Sequence, residues 1–209
     1  MKAYKRKEKE RRKNRVYKVA TKTLWQKGYD KTTIRDIASA TDMTTAGLYY
    51  YFKSKEELLF QILNSHMDDM IDGIEKIPRD SVAPLELIKN YIQYQIGTYC
   101  TDKYRTKLIL SDDDCLTGEW YKQIKNKQRQ YLNYWRNALN DYCREKKLSN
   151  KDIAIDAHCL LGMCVWIYRW YDPKGEVGPE ALALKIFETF MFGLSNKVNV
   201  PSSPRLNSE

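Results

Sequence analysis

Residues 32–55 read TTIRDIASATDMTTAGLYYYFKSK, and this stretch decides the fold. Ile34, Ile37, Ala38 and Thr41 recur at helical spacing, which places them on one face of a short helix. Asp42-Met43 breaks that pattern, and Asp tolerates the left-handed backbone that a sharp turn requires. Thr44 then caps a second helix, because its side-chain oxygen satisfies an orphan amide of the first turn. Leu48 and Phe52 share the inner side of that helix and close a small core with Ile37, Ala38 and Met43. Thr45, Gly47, Tyr49 and Tyr50 are left facing outward. A short helix that shows small, hydroxylated and tyrosine side chains is what a DNA-reading helix-turn-helix presents. The competing reading of these residues alone is an ordinary helical hairpin inside a bundle.

Charge weighs against that alternative. The chain of 209 residues carries a net charge of +9, and 43% of it is hydrophobic, as in globular proteins. Residues 1–55 hold 16 Lys and Arg against 5 Asp and Glu, a balance of +11, while the remainder is −2. All the excess positive charge therefore lies with the helix-turn-helix pattern, where attraction to phosphates has a direct use. A membrane surface also attracts cations, but KAYKRKEKERRKNR offers no apolar face beside them. No window approaches a membrane span, and no apolar stretch follows the basic start, so neither a membrane partner nor a signal peptide is expected. The five cysteines form no CxxC pair and only two histidines, His66 and His158, accompany them. Reduced thiols in a cytoplasmic protein with no metal site and no cofactor are the simpler expectation.

Outward from the motif, residues 1–14 are almost wholly charged and form an expected basic arm, solvated, laid against phosphates or reaching into the minor groove, with the alternative that some of it extends the first helix. Val16, Val19, Ala20, Thr23 and Leu24 then mark a first helix that stops at Gly28. Together these give a DNA-binding unit over residues 1–53. Ser54-Lys55-Glu56-Glu57 is a capping box, opening a long helix whose apolar stripe runs to Ile74. Further helices are expected from Pro84 to Cys100, from Asp102 to Leu110, from Leu116 to Lys147, from Asn150 or Asp152 to Asp172-Pro173, and from Pro179. Ser111 to Asp114 is an acidic break, read as a solvated loop rather than a metal site. Residues 54–198 thus make a second, larger all-α domain, and residues 199–209 read as a disordered tail.

With these residues in view, IRDIASATDMTTAGLYYYFKSKEELL resembles the DNA-binding signature of TetR/AcrR-type bacterial regulators. The resemblance is carried by Ile37-Ala38, Met43-Thr44, Leu48-Tyr49, Tyr51-Phe52, Lys55 and Leu58. It departs at Asp42 and at Ala46-Gly47, where the family often has Gly at the turn and early in the second helix. A second stretch, residues 160–194, is similar to the last two helices of members that answer to acyl-CoA thioesters in fatty-acid or steroid breakdown, through Leu161-Gly162-Met163, Trp166, Arg169-Trp170-Tyr171 and Pro179-Glu180.

The resemblance implies a homodimeric repressor that holds a palindromic double-stranded operator and is released by a small-molecule effector, an acyl-CoA thioester being the class implied. Two recognition helices would then reach successive major grooves about 34–36 Å apart. Thr33, Thr44, Tyr49 and Lys55 are expected on phosphates, Thr45 and Gly47 against base edges, and Tyr50 on either. His66, Met70, Tyr94, Trp135, His158, Gly162, Trp166 and Arg169 are the candidate effector wall, weighed against service as core filler or, for Arg169, a local ion pair. Leu160, Cys164, Ile167, Phe187, Phe190, Met191 and Leu194 are the candidate dimer face. An enzyme would need an activated nucleophile, which the cysteines and histidines do not spell out. A constitutive DNA- or RNA-binding protein, or an activator, is the other reading.

Overall fold

The computed structural model describes residues 2–195; the expected tail and the side chains of residues 2–6, 9, 194 and 195, Leu194 among them, lie outside the described part. Every regular element within it is helical. In chain order these are α1 (Lys2–Lys27), α2 (Ile34–Thr41), α3 (Thr45–Leu48), α4 (Lys55–Glu75), α5 (Pro84–Thr101), α6 (Lys103–Ser111), α7 (Gly118–Glu145), α8 (Ile153–Val165) and α9 (Pro179–Ser195).

The first three helices form the head. The expected arm over residues 1–14 takes the alternative course and, from Lys2 onward, extends the first helix as the first half of α1. Lys, Arg, Glu and Ala are good helix formers and no Gly or Pro interrupts them. An exposed Arg12–Glu8 pair at 3.4 Å is a small addition. The helix stops at Gly28, which adopts a positive φ of 81° while its amide still donates to the Leu24 carbonyl at 2.8 Å. Thr33 caps α2 and shares a reciprocal box with Asp36. Asp42 takes the left-handed conformation anticipated for the turn, at φ 53° and ψ 41°.

The body is organised around α4, which buries residues on nearly every side, from Leu58 to Ile74. A helix apolar all round must be surrounded, and α4 packs against α1, α5, α6 and α7. Phe60 stacks on Trp120 of α7 at 5.4 Å, and Glu56 in the first turn of α4 accepts from the Thr117 amide and hydroxyl at the start of α7. The buried side chains of head and body form one contiguous cluster.

Two elements of the body differ from expectation. The acidic break is a 3-10 turn over Asp113–Cys115, and Asp113 is buried against Lys125 (2.8 Å) and the Gln128 amide (2.7 Å). It is a paired structural carboxylate rather than part of a solvated loop. The eighth helix ends at Val165 and tightens into a 3-10 turn, Trp166–Arg169. Bulky side chains at 165–168 and 170–171 weaken the α-helical preference, and the tighter turn brings Ile167 inward while Trp166 and Trp170 stay exposed.

Candidate nucleic-acid interface and effector cavity

The head presents a reader through two caps. Thr33 accepts from the Asp36 amide, and Asp36 accepts from the Thr33 amide (2.8 Å) and hydroxyl (2.7 Å) and pairs with Lys27 at 2.6 Å. These partners, Lys27 foremost, hold the Asp36 carboxyl well below the usual carboxylate range. Thr44 accepts from the Gly47 amide at 3.1 Å and so starts α3. Gly47 is confined as well as outward: a Cβ there would stand 3.3 Å from both Met43 Cε and Thr44 Oγ1. Leu48 and Phe52 are buried while Thr33, Thr44, Thr45, Tyr49 and Tyr50 are exposed, Tyr50 at 66%.

Lys55 sits differently from the other expected phosphate contacts. Its ammonium donates to the Tyr29 carbonyl (2.9 Å) and the Thr32 carbonyl (3.1 Å) and lies 4.1 Å from the Tyr29 ring centroid. It braces the α1–α2 loop onto α4. Residues that the sequence reading did not single out also gather here. Arg11, Arg12 and Arg15 of α1 line a groove of about 610 Å³ with Thr41, Met43 and Tyr51, beside the turn. Their helical placement was the missing signal: positions 11 and 15 lie one turn apart and share a face.

The body holds a largely apolar cavity of about 460 Å³. Four of the candidate wall residues meet there: His66 and Met70 from α4, and His158 and Gly162 from α8. His66 is buried, with its Nδ1 3.8 Å from Asp102. Burial first, and the Arg105 guanidinium second, lower its pKa to about 4, against the opposing pull of Asp102 and Asp69. Arg105 is itself held by Asp102 and by Asp69, the latter at 2.7 Å.

The other four lie elsewhere. Tyr94 packs over Gly73, and its hydroxyl donates to the carbonyls of Asp69 (3.0 Å) and Met70 (3.2 Å). Trp135 is buried between Tyr91 and Tyr131. Trp166 is exposed, and Arg169 lines a separate cleft beside α1. On α7 the wall is made by Gln128, Tyr131 and Leu132, with Lys125 and Arg129 beside them. Gln128 and Tyr131 precede Trp135 by seven and four positions, so periodicity put them on the same face; Tyr131 reads from that spacing as packing, and the polarity of Gln128 hid it. Tyr131 is satisfied inside, donating to Gln95 Oε1 at 2.8 Å.

The candidate dimer residues divide by side of their helices. Leu160, Cys164 and Ile167 are fully buried within the single chain and Met191 nearly so, which makes them core rather than surface. Phe187 and Phe190 are half-buried. The outward apolar side of α8, its following turn and α9 is instead Ile155, Trp166, Leu184 and Phe192. On a helix apolar on several sides, spacing alone cannot tell which side meets the chain's own core.

A three-helix head with a capped, outward-facing reader, carried on a helical body with an apolar cavity, defines a helix-turn-helix regulator. Residues 16–62 match the family described as bacterial regulatory proteins, tetR family, and residues 81–194 match the tetracyclin repressor-like C-terminal domain. The chain belongs to this family. It is similar to the HTH-type transcriptional repressor KstR2 of Rhodococcus jostii, 24% identical over 196 residues that cover 90% of this chain and 93% of that one. Among solved structures, a TetR-family regulator from Bordetella parapertussis superposes with a TM-score of 0.81 at 29% identity, covering 90% of this chain and 98% of that one. AibR in complex with isovaleryl coenzyme A and operator DNA superposes at 0.77 with 27% identity, covering 85% and 97%.

Proposed function

We propose that this chain is a cytoplasmic, homodimeric repressor that grips a palindromic operator through α2 and α3 and is released when an acyl-CoA thioester enters the cavity. The observation that carries the reading is the sharing of helices. α4 supplies His66, Met67 and Met70 to the cavity and begins directly behind the reader, at Lys55. α6 supplies Thr106, Ile109 and Leu110 and packs against α1. An occupant that moves either helix shifts the head, and two recognition helices fixed by two-fold symmetry then miss their grooves together.

The relatives support both halves, since AibR is seen with a coenzyme A thioester and operator DNA and KstR2 is a transcriptional repressor. In the present chain the cavity accepts an acyl group, and Arg129 offers a guanidinium beside it to an anionic remainder. Thr33, Thr44 and Tyr49 take phosphates, Thr45 and Gly47 lie against base edges, and Tyr50 serves either role. A factor of about 100 in operator affinity needs about 2.7 kcal/mol of preference for the released arrangement.

Operator binding by the purified protein, titrated with thioesters from isovaleryl-CoA to longer and steroid-derived chains, tests the proposal. At least one should weaken binding about tenfold or more, and Gly162→Leu, which projects into open space at the cavity wall, should blunt that response while leaving operator affinity in place. Unchanged affinity with every thioester removes the effector assignment and leaves a constitutive regulator.

A further inference from the structure

A second, smaller cleft of about 200 Å³ lies between the end of α1, the body helices α5 and α6, and the 3-10 turn after α8. Its lining is Trp25, Tyr99, Lys103, Lys107, Tyr168 and Arg169, none of which lines the effector cavity. Three aromatic rings and three cations make up the whole of it.

The cations are placed as a set. Lys103 and Lys107 are one turn apart on α6, so they share a face. Their ammonium groups stand 5.9 and 5.3 Å from the centroid of the same Trp25 ring. The guanidinium of Arg169 approaches from the other wall, 5.5 Å from the Tyr168 centroid. The Lys107 ammonium also reaches the Trp25 carbonyl, in the last turn of α1, at 3.5 Å.

Among the described residues no carboxylate forms an ion pair with any of the three. Asp112 lies near enough to feel Lys107, and Asp172 near enough to act on Tyr99, in neither case with ion-pair contact. Elsewhere on α6 the contrast is plain: Arg105, two residues from each lysine, is held by both Asp69 and Asp102. Like charges one turn apart repel, and a concave site of one sign concentrates the field on whatever anion enters.

We propose that this cleft is a second small-molecule site, which takes a phosphate group, free or as the monoester of a small metabolite. Three donors from two walls surround a compact dianion with charge-assisted hydrogen bonds. The rings add a face for a flat substituent and restrain the cations through cation–π contacts. At less than half the volume of the effector cavity, the cleft suits a phosphate and what is attached next to it rather than a whole coenzyme A thioester. The bound group would bridge α1 to α6 and to the turn at Arg169, and so join the reading head to the body.

Calorimetric titration of the full chain, free of DNA, with inorganic phosphate and with adenosine monophosphate, each against chloride at matched ionic strength, reads this directly. Saturable binding of either ligand is expected; tighter binding of the monoester assigns the site to phosphorylated metabolites, and equal binding to phosphate itself. Losing one charge-assisted contact should weaken binding about tenfold or more, so the Lys103→Ala, Lys107→Ala double variant and Arg169→Ala should each do so. Lys103→Arg with Lys107→Arg should retain it, and Arg136→Ala, exposed on α7 and away from both the cleft and the reader, should not change it. No binding beyond the chloride control, or equal binding by wild type and the double alanine variant, overturns the proposal. So does a double variant that loses operator affinity when the wild type binds neither ligand, because the lysines would then serve DNA. None of these readouts uses a thioester, so failure here leaves the effector proposal standing, and the reverse holds too.

Discussion

Gly73 and Tyr94 show how much a single position can hold. The Tyr94 hydroxyl occupies the space that a Cβ at residue 73 would need, while it donates to two carbonyls of α4. Gly73→Ala should therefore destabilise the protein by about 1–3 kcal/mol, in spite of the better helix propensity of Ala, and urea unfolding would show it as a lower midpoint. Tyr49 and Tyr50 are the opposite kind of residue. Both are exposed over a buried Leu48 and Phe52, so Tyr49→Ala and Tyr50→Ala should leave stability within about 0.5 kcal/mol. Each should weaken operator binding about tenfold if it contacts DNA. A stability loss without an affinity loss would mark them as packing residues.

At the level of elements, α4 and α6 meet through His66, Asp102, Arg105 and Asp69. His66 has a folded pKa of about 4, set chiefly by burial and then by Arg105, against an ordinary value of 6.5. Between those two pH values the unfolded chain takes up a proton that the folded chain refuses. Stability contributed by neutral His66 is thus complete above pH 6.5 and falls away as pH drops toward 4. His66→Gln should flatten the fall in urea midpoint between pH 7 and pH 5; an unchanged slope would place the titration elsewhere.

Elements were also where sequence was most and least informative. The turn at Asp42, the caps at Thr44 and Ser54 and the stop at Gly28 were legible because each is a local backbone requirement met by one residue type. The helical state of residues 2–14 was legible only as an alternative, since charged runs carry no apolar stripe. On α8 the periodicity was visible but the direction was not: Leu160, Cys164 and Ile167 face the chain's own core, and Ile155 and Trp166 face out. Of the eight residues expected on an effector wall, four line the cavity and four do not, for a similar reason. Apolar and aromatic spacing locates a buried face, but only tertiary packing separates the part that is filled, as at Trp135, from the part left open at Gly162.

Among the described residues of the last helices, Trp166 is 58% and Phe192 75% exposed, an outward apolar surface on the turn after α8 and on α9. Trp166→Glu with Phe192→Glu should yield a monomer in sedimentation velocity if this surface joins two copies. Operator affinity should then fall by about a hundredfold or more, because two half-sites can no longer be held at once. A dimer that survives both substitutions would move the interface elsewhere. Head and body also share one contiguous set of buried side chains, so thermal unfolding is expected as a single transition.

The position of α4 has a practical corollary for anyone wishing to retarget such a regulator. Judged by the motif alone, the seam for exchanging reading heads is Ser54, where the motif ends. Yet Leu58, Leu59, Ile62 and Leu63 lie just beyond it and are all buried, and Lys55 is tied back to the carbonyls of Tyr29 and Thr32. A transplanted head would have to bring at least the first two turns of α4 with it, and its new host would have to accept their side chains.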